Sequence, residues 1–236
     1  GETPWCMGWD SDAATGWVGT DWVEEMVLRI SGPDYYDDWL YHTVPFNDAP
    51  VVEAMDEVAK VARDPEMVLG GPKGVLNTPF AEAMLPAFDP QPKCWMERQG
   101  NFATGFYPED VQANLDEEVG IFTFPPYAGG FDGQPILGGG DIAALYNGND
   151  TEAQEVMKFI TSPDFGAEWA QAGGWLSPHK TFDSDNYPNE ITRQVALHVL
   201  HSSFAQGVPE SAAPGQDQVG VYAKVDHFRI HEFFPR

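Results

Sequence analysis

The sequence predicts an α/β fold. Stretches with apolar residues at helical spacing alternate with short apolar runs bounded by Gly and Pro, which indicates helices and strands packed in layers. Of the 236 residues, 42% are hydrophobic, enough to bury the core of one large domain or two small ones. No internal repeat is present, so a solenoid is not expected.

The chain opens with a tryptophan-rich segment, residues 1–19, which we interpret as a loop or hinge. Trp5, Trp9 and Trp17 alternate there with small polar residues. Aromatic faces can stack on the apolar face of a sugar ring while acids and amides bind its hydroxyl groups, so this segment is a candidate sugar-binding surface. The alternative is that the indoles pack beneath a loop.

Helices follow, each marked by a capping residue or an apolar stripe. Thr20 and the acids after it predict a helix over residues 21–30, which the Ser31-Gly32-Pro33 sequence ends. Further helices are predicted over residues 33–41, 48–63, 78–88 and 150–160, from 162 to the Gly173-Gly174 pair, and over 189–201.

Residues 93–97 and 119–124 are predicted strands. The first leads directly into Arg98, Asn101 and Phe102, so several hydrogen-bonding groups stand at one end of it. This end is a candidate ligand site, and a purely structural turn is the competing interpretation.

A third predicted strand, residues 135–146, contains three consecutive glycines and then Asp141. Glycine packs no side chain in a strand, so the triplet indicates close approach of a ligand to the backbone. A bulge or bend without a ligand is equally compatible with these residues.

The charge balance excludes several partners. Acidic residues outnumber basic ones 37 to 12, for a formal net charge of −25. Phosphate binding needs clustered Lys and Arg, so neither nucleic acid nor an anionic membrane surface is an expected partner. No apolar run is long enough to span a membrane, and no signal peptide is recognised. Because the chain starts at Gly1 without Met, we interpret it as a fragment.

Motifs for chemistry are missing. Nucleotide-binding, phosphate-loop and nucleophile motifs are absent, so we expect no cofactor and no catalytic residue. His198 with His201, and His227 with His231, have helical spacing, but no HExxH motif or acid partner accompanies them and no metal is expected.

The two cysteines, Cys6 and Cys94, leave two possibilities open. They could form one disulfide, or they could be free buried thiols as in an intracellular protein. They do not form a CxxC motif, which makes zinc or redox chemistry unexpected.

Taken in order, several motifs resemble the carbohydrate-binding proteins of ABC transporters, particularly the α-glucoside group. The motifs are Pro4-Trp-Cys-Met-Gly8, Ala14-Thr-Gly-Trp17, Thr20-Asp-Trp-Val-Glu24, Lys93-Cys-Trp-Met-Glu-Arg-Gln-Gly-Asn-Phe102, Gly139-Gly-Asp141 and Gly173-Gly-Trp-Leu-Ser-Pro-His-Lys180. Each motif alone is weak, and their shared order from about residue 4 to 207 is more specific.

The resemblance implies the type II periplasmic-binding-protein fold of maltose-binding protein, in which two α/β lobes joined by a hinge hold the sugar between them. This chain is similar to the C-terminal lobe, a mixed sheet flanked by helices. Residues 1–19 would be the hinge and cleft segment, 20–207 the lobe, and 208–236 a tail that the resemblance does not assign; 221–236 depart from the family pattern. The N-terminal lobe is missing, so we expect weak binding by this half alone.

The same resemblance implies the binding residues and the cysteine pairing. Cys6 and Cys94 would be joined in a disulfide, as suits an exported protein. The implied sugar-binding residues are Trp5, Trp9, Trp17, Arg98, Asn101, Phe102, Gly139, Gly140, Asp141 and Trp175.

We therefore expect an extracytoplasmic receptor, periplasmic or extracellular, with a lipid anchor as an option for the full-length protein. It would bind an α-glucoside or another oligosaccharide without turnover and deliver it to permease subunits. The alternative is a secreted carbohydrate-active enzyme such as a glycoside hydrolase, which needs two carboxylates roughly 5 to 10 Å apart, and no motif places them. An acidic interaction domain without a small ligand would leave the glycine triplet and the early tryptophans unexplained.

Overall fold

The computed structural model describes residues 2–138, 143–179 and 181–201, the last five of these without their side chains. Two strands, β1 and β2, cover Thr3–Trp5 and Cys94–Met96. Helices α1 to α8 cover Trp17–Leu40, Ala49–Ala62, Gly71–Asn77, Glu109–Ala113, Leu115–Glu118, Thr151–Ile160, Ala167–Ala172 and Glu190–His201. Short 3-10 helices cover Asp12–Ala14, Phe80–Glu82, Leu85–Ala87, Asn101–Phe106 and Ser184–Asn186.

The two strands form a small parallel sheet. Thr3 pairs with Cys94 and Trp5 with Met96. On the other side of β1, the backbone N–H of Trp5 donates to the carbonyl of Met67 at 3.0 Å and the N–H of Leu69 donates back to Trp5 at 3.1 Å. Strand β1 is therefore hydrogen-bonded along both edges, and the predicted α/β character is confirmed, with a two-stranded parallel sheet in the described residues rather than a larger mixed one.

Helix α1 is broken in the middle, where the sequence predicts a break. Gly32 has φ +81° and ψ 176°, outside the helical region, and Pro33 follows. Proline has no N–H, so it cannot donate to the carbonyl four residues earlier, that of Arg29. The N–H of Phe131 donates to this carbonyl instead, at 2.9 Å, which attaches the 127–133 loop to the helix.

The sequence predicts an apolar stripe on α2 that includes Val52 and Met55, but the helix buries only part of it against α1, and these two side chains are exposed. Val51, Ala54, Val58 and Ala62 are buried at helical spacing. Asp48 is at the N-cap position as predicted, but its side chain does not cap the helix; its carboxylate accepts a hydrogen bond from the Tyr35 hydroxyl at 2.9 Å. This bond connects the second half of α1 to the start of α2.

Other boundaries differ from the prediction. Helix α1 begins at Trp17, because Gly16 takes the left-handed cap conformation at φ 106°, so Thr20 lies inside the helix and does not cap it. Residues 78–88 fold as two 3-10 helices instead of one α-helix. Helices α3, α4 and α5 were not predicted.

One predicted strand is not formed: residues 119–124 have no strand assignment, although Phe122 and Phe124 pack on the core of α1 and α2. The centre of the third predicted strand, 139–142, lies outside the described residues. Of its flanks, 135–138 and 143–146, Gly138 alone forms a β-bridge and the others have no strand assignment. An alternating apolar pattern does not form a strand unless a neighbouring strand supplies the hydrogen bonds.

Three apolar clusters organise the described chain. The largest joins β1, α1, α2 and α3 around Val27 and Val51. The second surrounds Cys6 and Cys94, and the third surrounds Trp175 between α7 and α8. Within the described residues, none of the helices combines the length and apolar composition needed to cross a membrane.

Candidate binding site

Four aromatic rings meet at one surface of the molecule. The ring of Trp17 lies 5.2 Å from that of Phe80 and 6.1 Å from that of Phe102, centroid to centroid. Phe106 lies 5.6 Å from Phe80 and 6.1 Å from Phe102, and 42% of it is exposed. We call Trp17, Phe80, Phe102 and Phe106 the aromatic patch.

Local structure explains why these rings converge. Trp17 is the first residue of α1, and Phe102 and Phe106 lie four apart on the 3-10 helix Asn101–Phe106. The N–H of Phe80 donates to the carbonyl of Asp10 at 3.0 Å, which holds the Phe80 segment beside the loop that precedes α1. The sequence predicted Trp17 and Phe102 as site residues; it gave no signal for Phe80 and Phe106.

A polar loop borders the patch. The Thr15 hydroxyl accepts a hydrogen bond from the backbone N–H of Ser11 at 2.9 Å and lies 3.0 Å from the carboxylate of Asp10. Asp10 is thereby held close to the start of α1, where Trp17 lies. A carboxylate beside aromatic rings can accept hydrogen bonds from the hydroxyl groups of a stacked polyol.

Asn101 connects the patch to a second polar region. Its side-chain Nδ2 donates to the backbone carbonyl of Gly174 at 2.9 Å. Gly174 also lines a cavity of about 150 Å³ together with Thr104 and Gly105 of the same 3-10 helix. The amide side chains that line this cavity are Gln112, Gln171 and Asn189.

The other two predicted tryptophans of the opening segment lie elsewhere. Trp5 is 6% exposed, and its ring packs edge-to-face on Trp22 with centroids 5.0 Å apart. Trp9 is half-buried and lines an apolar groove of about 500 Å³ between α1, α2 and α3. The Trp9 indole Nε1 is buried without a hydrogen-bond partner among the described residues. Of the three, Trp17 is the one that contacts Phe102 in the patch.

Arg98 follows β2 as predicted, but its guanidinium is buried in an ion-pair network. Its NH1 lies 3.2 Å from Asp21 and its NH2 lies 3.4 Å from Glu25, both on α1. Glu25 also pairs with Arg29 at 2.8 Å. Burial raises the pKa of Asp21, and the Arg98 charge opposes this effect. Arg98 therefore joins the end of β2 to α1 and has little surface for a ligand.

Trp175 is also buried in this structure. It is 5% exposed and its ring stacks on Trp169, with centroids 5.9 Å apart and planes 20° apart. Phe165 and Phe182 contact its edges. Its indole belongs to the third apolar cluster, while its neighbour Gly174 reaches the polar cavity. Gly139, Gly140 and Asp141, the remaining predicted residues, lie outside the described residues.

Glu97 is a buried acid that sequence reasoning missed. It is 4% exposed, and this burial raises its carboxyl pKa to about 8. Burial and then the Glu97 charge raise the pKa of the Tyr107 phenol, whose hydroxyl has no hydrogen-bond partner among the described residues. An acid after a strand gives no sequence signal of burial, because acids at such positions are normally solvated.

Cys6 and Cys94 form a disulfide, the pairing that the resemblance implied. Their Cα atoms are 5.2 Å apart. Cys6 directly follows β1 and Cys94 is the first residue of β2, so the bond joins the paired strands covalently. Among the described residues, no group of three or more His, Cys, Asp and Glu side chains is placed to hold a metal ion. The side chains of the histidine pairs noted in the sequence lie outside this part.

Comparison with known proteins gives two relatives. The osmoprotective compounds-binding protein GgtB of Synechocystis sp. (strain ATCC 27184 / PCC 6803 / Kazusa) is 43% identical over 222 residues, which is 94% of this chain and 52% of that protein. The alpha-glucosides-binding periplasmic protein AglE of Rhizobium meliloti (strain 1021) is 31% identical over 223 residues, 94% of this chain and 48% of that protein. The chain is homologous to solute-binding proteins.

The homology confirms the resemblance to the α-glucoside group of binding proteins. The chain spans about half the length of these curated relatives. No family model and no solved structure matches the chain.

Proposed function

We propose that this chain is the sugar-binding half of an extracytoplasmic solute-binding protein of an ABC transporter. The observation that carries the proposal is the aromatic patch beside the Asp10 loop and the Asn101–Gly174 contact, in a chain homologous to two binding proteins. The ligand is an α-glucoside or another oligosaccharide, and it is bound without chemical turnover.

The patch supplies the two kinds of contact that a sugar needs. Trp17, Phe102 and Phe106 offer ring faces and edges for the apolar face of a pyranose, and Phe106 is the most accessible of them. Asp10 and the amide-lined cavity behind Asn101 offer hydrogen-bonding groups to hydroxyls. A mainly apolar wall with a few placed polar groups is the usual composition of a small-molecule site.

The domain assignment extends the proposal. Residues 1–19 serve as the hinge and cleft segment, 20–207 as the C-terminal lobe of a type II binding-protein fold, and 208–236 as a tail. A separate N-terminal lobe closes over the patch, and permease subunits receive the sugar. The protein works in the periplasm or outside the cell, where the Cys6–Cys94 disulfide persists, and a lipid anchor on the full-length protein belongs to the same proposal.

A fluorescence titration tests this function. The full-length gene product is titrated with maltose, sucrose and trehalose while tryptophan emission is recorded, and the same samples are analysed by chromatography for released monosaccharide. We expect a saturable change with intact sugar. Released glucose would instead favour a glycoside hydrolase, and the absence of any response to all three sugars would contradict sugar binding.

A pair of variants tests the location. Phe106→Ala removes an exposed ring of the patch, whereas Phe159→Ala removes a ring of similar exposure, 58%, on α6. We expect Phe106→Ala to weaken sugar binding about 10-fold, as removing a stacking ring does, with little change in stability. Phe159→Ala should bind as the parent does. Equal affinities of the two variants would place the site elsewhere.

A further inference from the structure

A separate cavity, of about 260 Å³, has five aromatic residues in its lining. Trp5 and Trp22 meet edge-to-face, with centroids 5.0 Å apart and planes at 79°, and Trp22 meets Phe124 at 5.8 Å and 87°. Phe122 and Tyr127 are the other aromatic residues of the lining. We call these five residues the aromatic box; it shares no residue with the aromatic patch.

Carboxylates lie at one side of the box. Glu57 of α2 lines the same cavity, and the Tyr127 hydroxyl donates to Glu57 at 3.0 Å and lies 3.2 Å from Glu53. Lys60 pairs with Glu57 on the exposed side, and its hydrogen bond lowers the Glu57 pKa. Glu53, Glu57 and Lys60 therefore give the surroundings of Tyr127 a net negative charge.

One ring of the box contacts a cation that belongs to the protein itself. The guanidinium carbon of Arg29 lies over the ring of Phe124, 5.8 Å from its centroid, and the Arg29 charge is paired with Glu25 at 2.8 Å. Cations bind aromatic faces because the ring quadrupole is negative there, and the attraction grows when the site excludes water. Trp5 and Trp22 are 6% and 3% exposed, so these two rings of the box are shielded from solvent, while Phe122, Phe124 and Tyr127 are half-buried.

We propose that the aromatic box binds a small organic cation with a quaternary ammonium head. The rest of the lining includes Met26, Met67 and Met96, which offer no donors for the hydroxyl groups of a sugar. A quaternary ammonium requires no hydrogen bonds and is stabilised by ring faces and a nearby carboxylate. The volume lies just below the range of about 300–1,000 Å³ that holds drug-sized ligands, which fits a compact cation.

Calorimetry with two matched ligands tests the proposal without any substitution. The chain is titrated with choline and, separately, with 3,3-dimethylbutan-1-ol, which has the same shape and no charge. We expect choline to bind in the millimolar range and at least about 10-fold more tightly than the neutral alcohol, the preference that a desolvated cation–π site gives. Equal affinities, or no saturable heat from choline up to about 50 mM, would overturn the proposal.

Variants then separate the box from the general negative charge of the chain. Glu57→Gln removes the carboxylate at the box and Glu109→Gln removes one exposed charge on α4. Choline affinity should fall several-fold in the first and stay unchanged in the second. A matching decrease in both would assign the binding to the net charge of −25 and overturn the site.

Discussion

Asn101 and Gly174 are joined by a hydrogen bond from the asparagine Nδ2 to the glycine carbonyl, at 2.9 Å, across 73 residues of sequence. Asn101 begins the 3-10 helix that carries two rings of the aromatic patch. Gly174 precedes Trp175, the centre of the third apolar cluster. This bond is therefore a direct link between the patch and the α7–α8 region.

We expect Asn101→Ala to loosen that link. The loss of one partly buried hydrogen bond should lower the free energy of unfolding by roughly 1 kcal/mol and speed amide exchange at residues 173–175. The control is Asn114→Ala, because the Nδ2 of Asn114 donates to the carbonyl of Asp110 within its own turn. Both variants are compared with the parent by urea unfolding and hydrogen exchange. Faster exchange at residues 173–175 in the control as well would argue against a specific link.

Breaking the Cys6–Cys94 disulfide should be costly. The bond spans 88 residues, and the removal of a native disulfide typically lowers the free energy of unfolding by about 2–5 kcal/mol. A Cys6→Ala/Cys94→Ala double variant should lose this amount in urea unfolding. Dithiothreitol should destabilise the parent and leave the double variant unchanged; a parent insensitive to reduction would mean that the bond does not support the fold.

Glu97 should make stability fall as pH rises. Burial raises its pKa from the ordinary value of 4.5 to about 8, so between these values the folded chain holds a proton that the unfolded chain has lost. Stability supplied by the protonated carboxyl is complete below pH 4.5 and is lost as pH rises towards 8, by at most roughly 1.4 kcal/mol per pH unit.

Glu97→Gln isolates this contribution, because the amide keeps the shape and cannot ionise. The variant should gain stability relative to the parent as pH is raised from 5 to 9, measured by urea unfolding at about three pH values. Glu109→Gln removes an exposed acid, and its stability should change with pH as that of the parent does. A Glu97→Gln profile that also parallels the parent would mean that the carboxyl is not held protonated.

Arg98 should matter for stability more than for ligand contact. Its guanidinium is 1% exposed and faces Asp21 and Glu25. Arg98→Met leaves these carboxylates without their shared cation, which costs roughly 3–5 kcal/mol in buried pairs. Lys158→Met, which breaks an exposed pair with Glu155, should cost less than about 1 kcal/mol. Thermal unfolding compares the two; similar small losses would show that the buried network is dispensable.

Local signals explain which elements were predictable. The α2 stripe, the Asp150 carboxylate that accepts from the N–H groups of Glu152 and Ala153, and the break at Gly32-Pro33 all depend on residues within one or two turns. Such features are determined by residues close to them in the sequence. The aromatic patch is different, because Phe80 and Phe106 become site residues only when separate segments converge.

The same reasoning explains the errors. Residues 119–124 have the composition of a strand, but a strand depends on a partner that the pattern does not specify. Arg98 was placed correctly at the end of β2, while the direction of its side chain was set by acids on α1. Burial of Glu97 likewise follows from the tertiary packing around Tyr107.

The break in α1 has a consequence for how the chain assembles. A regular helix would use the Arg29 carbonyl internally, and any residue with an N–H at position 33 would compete for it. Pro33 has no N–H, so the Arg29 carbonyl is left without a donor from its own helix. The N–H of Phe131 can therefore donate to this carbonyl without breaking a hydrogen bond of the helix. A residue with an N–H at position 33 would direct a second donor to the Arg29 carbonyl and so weaken the attachment of the Phe131 loop.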